Sequence, residues 1–145
     1  MIGGFSVIYH GHIRATKDSN LLVPDGPEAD AAVMRFLQRV EAVRLSDGKR
    51  LAAEDVAGVD HLRVDTSHGI VDIMRGGLPP LDYETVAASA ETVEWESQTL
   101  RFASLASLVA FKRLANRPHP DRSDLRHLEA IHGPLPIDPI PGLDT

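Results

Sequence analysis

Three small groups of residues have the types and spacing of a phosphate and metal site. Gly3-Gly4 opens the chain, Asp18-Ser19-Asn20 leads into Leu21-Leu22-Val23, and Asp72 stands alone in Ile70-Val71-Asp72-Ile73-Met74. Glycine lets the backbone approach an anion closely, and amides opening a helix would point at it. The same pair also suits a simple tight turn. Asp18 and Asn20 are two apart, so on a strand they share a face and can grip one ion. Mg²⁺ takes hard oxygen ligands and is commonly shared with substrate phosphates. Asn20 contributes a carbonyl oxygen to such a set but no charge. A carboxylate between Val71 and Ile73 is costly to bury unless it is paired or bound to metal. Alternation equally allows Asp72 an exposed strand face.

The elements that must hold these residues follow from pattern. Phe5 to Ile13 suits about two helical turns after the glycines. Ser19 to Val23 reads as a short buried strand stopped by Pro24-Asp25-Gly26. Ala31, Val33, Met34, Leu37 and Val40 recur at helical spacing, which predicts an amphipathic helix over 27–41 with Pro27 in its first turn. Asp47-Gly48 marks a turn. His61 to Asp65 alternates, Ser67-His68-Gly69 turns, and Ile70 to Met74 completes a hairpin. Gly76-Gly77-Leu78-Pro79-Pro80 breaks it. Asp82 caps a helix to Ala90, and 92–95 and 99–102 are short strands. Ser104 caps a helix whose apolar face is Leu105, Leu108, Val109, Phe111 and Leu114; a last helix covers Asp121 to Ile131. The expected class is α+β: a small mixed sheet flanked by helices, with further helices at the C-terminal end.

Composition narrows the function classes. The 145 residues suit one domain over 1–132, followed by a Pro-rich extended tail over 133–145. Zero cysteines exclude a disulfide framework and cysteine-ligated zinc, and suit a reducing, cytoplasmic setting. A net charge of -6 argues against broad DNA binding. No apolar run approaches the roughly 20 residues of a membrane span. His10 and His12, two apart, diverge on a helix, and His119, His127 and His132 lack zinc-type spacing.

Gly-Gly, then Asp-x-Asn at a strand start, then a lone strand aspartate resembles the polymerase-beta-type nucleotidyltransferase superfamily. Phe102-Ala103-Ser104-Leu105-Ala106-Ser107-Leu108-Val109-Ala110-Phe111-Lys112-Arg113 narrows the likeness, together with Arg117-Pro118-His119-Pro120-Asp121-Arg122-Ser123-Asp124-Leu125. These stretches resemble the SLxDLIxxK and RxKDxxDL helices of the AbiEii-type branch, many of whose members are toxins of toxin–antitoxin or abortive-infection systems. The resemblance covers about residues 1–132.

It implies transfer of a nucleotidyl group from an NTP to an RNA or protein acceptor, with Mg²⁺ in a site of up to two metals. Gly3, Gly4 and Ser6 would meet the nucleotide phosphates. Asp18, Asn20 and Asp72 would hold metal, Asp18, Asp72 and Lys112 would be catalytic, and Lys112 would also contact the nucleotide. Lys112 read by itself is a solvated or snorkelling lysine. Asp121 and Asp124 match an acidic pair that either positions Lys112 or complements a helix dipole. A cognate antitoxin is an implied partner. Asn20 stands where the family has a second aspartate, which removes one charge from a reaction stabilised electrostatically. The family also implies a helix and an apolar strand before the glycines, where only Met1 and Ile2 stand, so that Met1 reads as an internal methionine or the N-terminal strand as missing. Both departures favour an alternative, a catalytically degenerate binding module on the same fold.

Overall fold

The computed structural model of the chain describes residues 1–76, 80–139 and 144. It is an α+β fold. A four-stranded mixed sheet has the order β1-β4-β3-β2, formed by Asp18–Val23, Gly69–Arg75, His61–Thr66 and Val43–Arg44. β1 runs parallel to β4; the other pairs are antiparallel. A separate hairpin joins β5 (Glu91–Trp95) to β6 (Gln98–Phe102). The helices are α1 (Gly3–Tyr9), α2 (Pro27–Arg39), α3 (Ala53–Val56), α4 (Tyr83–Ala88), α5 (Leu105–Ala115) and α6 (Ser123–His132).

Strand alternation divides the sheet into two unlike faces. Leu21, Val23, Leu62, Val64, Val71 and Ile73 point to one side, where they pack with Val33 and Leu37 of α2 and Val56 of α3. The fully buried aliphatic side chains among them, Val33, Leu37, Val56, Val64 and Ile73, each contribute about 1.5–3 kcal/mol. On the other side Leu22 and Met74 meet Ile2, Val86, Ala103 and Phe111. This second apolar cluster covers only one end of that face. At the other end the same rows of β1 and β4 continue as Asn20 and Asp18, and as Asp72.

Local chemistry accounts for most boundaries. Pro27 sits in the first turn of α2; Asp82 Oδ1 accepts from Thr85 N at 2.8 Å; Ser104 Oγ accepts from Ser107 N at 3.2 Å. Asn116 closes α5 in a left-handed conformation. Three elements depart from expectation. α1 begins on Gly3 itself and ends at Tyr9, because Gly11 at φ +109° cannot continue it to Ile13. β2 and α3 were not expected; at two and four residues they are too short to carry a periodic signal. The break at Gly77, Leu78 and Pro79 lies outside the described residues, as do 140–143 and 145 of the tail; its described part, 133–139 and 144, contains no helix or strand.

Met1 and Ile2 tie the two sheets together. Ile2 N donates to Asn20 O at 3.0 Å, and Ala103 N donates to Met1 O at 2.9 Å. The glycine pair is thereby held against the Asp18–Asn20 strand.

Candidate functional site

The parallel register of β1 and β4 sets Asn20 directly beside Asp72, with Asp18 one step along the same face. Asp72 is only 4% exposed, so its charge must be compensated. Compensation comes from β3. Arg63 lies opposite Asp72 in the antiparallel register, and its Nη1 donates to Asp72 Oδ2 at 2.6 Å. Its Nη2 reaches Asp18 Oδ2 at 3.0 Å, so one guanidinium spans carboxylates from two strands. His61 Nε2 lies 2.9 Å from Asp72 Oδ1. Hydrogen bonds donated to Asp18 and then to Asp72 raise the Arg63 pKa above its ordinary value.

The glycine turn borders this face. Gly3 has φ +69°, and a methyl carbon there would lie 2.3 Å from Asn20 Nδ2 and 2.9 Å from its Cγ. On Gly4 a methyl carbon would meet Thr16 Oγ1 at 2.5 Å, and Thr16 in turn donates to Asp18 O at 3.3 Å. Both glycines are therefore required by close approach. Ile2, at the N-cap, offers no side-chain oxygen to the first-turn amides of α1. Gly3→Ala combines a left-handed backbone with a clash against the short Asn20 side chain. It should cost about 2 kcal/mol or more in urea denaturation. A change below about 0.5 kcal/mol, the usual surface-substitution range, would show that the contact is not tight.

Two expected phosphate contacts face elsewhere. Ser6 is fully buried and its hydroxyl donates to Met1 O at 2.7 Å. Lys112 is 5% exposed, and its ammonium lies 3.0 Å from Asp121 Oδ1 and 2.8 Å from Asp124 Oδ2. Both acids are buried and each has a second cation. Arg117 grips Asp121 through Nε at 2.6 Å, while Arg14 forks onto Asp124 through Nε at 2.7 Å and Nη2 at 2.9 Å. Burial pushes both carboxyl pKa values up. Hydrogen bonds from Arg117 and Lys112 to Asp121, and from Arg14 and Lys112 to Asp124, outweigh that and hold them below the ordinary carboxylate value. The geometry displays both expectations for this acidic pair: each aspartate contacts Lys112, Asp124 also lies in the first turn of α6, and Asp121 accepts from Arg117 N at 3.1 Å.

This cluster nevertheless reaches the glycine turn. A methyl carbon on Gly4 would lie 3.4 Å from Arg14 Nη1, so the arginine fixed by Asp124 runs alongside it. Arg75, the last residue of β4, is a buried strut whose Nη1 lies 2.6 Å from Asp30 Oδ1.

No protein-family model matches the chain, and comparison with curated proteins finds no match. The site therefore has to be read from its own chemistry. Asp18, Asn20 and Asp72 present two carboxylates and one amide oxygen. That set includes no third acid, and among the described residues no group of three His, Cys, Asp or Glu side chains is placed to hold a metal. Among the described residues no helix is long and apolar enough to cross a membrane.

Proposed function

We propose that the chain is a nucleotidyltransferase of the AbiEii-like type that binds a nucleoside triphosphate with Mg²⁺ on the Asp18–Asn20–Asp72 face. The observation that carries this reading is the shared face of those three residues, with the Gly3-Gly4 turn against Asn20. Two carboxylates and an amide oxygen fit one Mg²⁺ whose remaining positions are filled by phosphate oxygens and water. Asn20 makes the set a poor one for two metals. Bound there, Mg²⁺ would neutralise charge on the transferring phosphoryl group.

The chain's own residues have separate tasks in this scheme. Gly3 and Gly4 admit the phosphates to the opening amides of α1. Asp18, Asn20 and Asp72 hold the metal. Lys112 acts through Asp124 and Arg14 as a positioning residue for the turn. The acceptor would be an RNA or a protein, with the reaction taking place in the cytoplasm and a cognate antitoxin binding the protein as its partner.

Titration calorimetry with ATP, GTP, CTP and UTP, each with Mg²⁺, should show metal-dependent binding of at least one nucleotide. Heat indistinguishable from buffer for all four would overturn the proposal. A second reading, a degenerate binding module, is favoured by one observation: Arg63 already bridges Asp18 and Asp72. It predicts nucleotide binding without transfer of label from an α-³²P nucleotide to RNA or protein, where the enzyme predicts transfer.

A further inference from the structure

Arg63 occupies both carboxylates on which the proposed metal depends. Its Nη1 is on Asp72 Oδ2 and its Nη2 on Asp18 Oδ2, while Asp72 Oδ1 is engaged by His61. Asp72 is nearly inaccessible, so removing its cation without a replacement would strand a buried charge. Some cation must therefore be present on this face at all times. A guanidinium has donors only and cannot ligate a metal, so Arg63 and a metal are two cations competing for the charge of the same two carboxylates.

The arginine also has room to leave. Its side chain is 43% exposed. Once displaced, its fork matches the oxygens of a phosphate.

We propose that Arg63 is a resident counter-ion that metal must displace, and that a nucleotide's phosphates accept the released guanidinium. Metal and nucleotide binding are thereby coupled: neither is strong alone, and each tightens the other by the same factor. The inference rests on the nucleotide-binding reading above and adds to it a device for keeping the site metal-free until substrate arrives.

The test uses Mn²⁺ as a paramagnetic probe, followed by electron paramagnetic resonance, for the full chain and for Arg63→Gln. The unmutated protein should bind Mn²⁺ weakly alone and at least about fivefold more tightly with the nucleotide found by calorimetry. Arg63→Gln should bind Mn²⁺ alone more tightly by a similar factor and lose most of the nucleotide's enhancement. If the unmutated protein binds Mn²⁺ with nucleotide but Arg63→Gln gains nothing for Mn²⁺ alone, the counter-ion role falls and the nucleotide site stands. Mn²⁺ binding in neither protein, with or without nucleotide, removes both. A second measurement does not depend on Arg63→Gln: the Arg63 Nε–Hε resonance of the unmutated protein, assigned by its loss in the charge-conserving Arg63→Lys. It should shift when Mg²⁺ and nucleotide are added together. A resonance that stays in place while both bind would overturn the proposal.

Discussion

Lys112→Met should destabilise the protein by about 3 kcal/mol at neutral pH, near the lower limit for breaking a buried ion pair. Methionine replaces most of the lysine's volume, so the loss is electrostatic rather than a cavity effect. Asp121 and Asp124 would then share no ammonium while remaining buried at 0% and 1% exposure. Arg117 and Arg14 still grip them, which keeps the cost from rising to the full penalty of an unpaired charge. The same variant should unfold at higher pH on acidification. In the native protein both carboxyl pKa values lie below the ordinary 3.8. Their stabilising contribution is therefore complete above that value and is lost as the pH falls through the depressed native values. Removing Lys112 takes away a hydrogen bond that depresses both, so the acid transition moves upward. Urea denaturation at neutral pH and an acid titration followed by circular dichroism measure the two effects. A variant as stable as the parent would contradict the buried-cluster account. A fully stable Lys112→Met that no longer binds nucleotide would instead assign the lysine a direct phosphate contact.

The sequence made the site's acidic half legible because strand periodicity is short and strict. Asp18 and Asn20, two apart on a strand, had to share a face. What it did not reveal was which strand would lie beside them, since β1 pairs in parallel with a segment far along the chain. Arg63 was hidden by a single residue of register. A three-residue turn at Ser67-His68-Gly69 would place Asp72 opposite Val64, whereas the observed turn leaves Gly69 paired with Thr66 and Arg63 opposite Asp72. One residue of slip reverses every side chain on a strand. His61 followed Arg63 out of view for the same reason. Lys112 illustrates a different limit: a helix lysine looks the same in sequence whether it faces solvent or two aspartates, one in the turn before α6 and one in α6 itself. Its partners are set by how α5 packs on that turn and on α6, which no local pattern encodes.

Asn20→Asp should change stability in opposite directions with and without metal. Aspartate is nearly isosteric with asparagine, so it fits the space against Gly3 and the site keeps its shape. In metal-free solution the new carboxylate lies beside Asp72 in the β1–β4 register, two residues from Asp18. Like charges directly opposite on neighbouring strands destabilise by about 0.2–1 kcal/mol. Arg63 and His61 must then offset three carboxylates rather than two, and the melting temperature in chelator should fall. Adding Mg²⁺ reverses the balance, because a third anionic oxygen strengthens a hard-cation site through ligand charge. We expect Mg²⁺ affinity to rise about tenfold or more, equivalent to about 1.4 kcal/mol. By linkage, the melting temperature in excess Mg²⁺ should then exceed its value in chelator by more than it does for the parent. Paired thermal melts of parent and variant, with chelator and with Mg²⁺, read both halves of the effect. Equal melting temperatures for the variant in the two conditions would show that position 20 does not face a metal. If metal affinity rises and labelled nucleotide is transferred only by the variant, the asparagine alone separates the binding module from the enzyme.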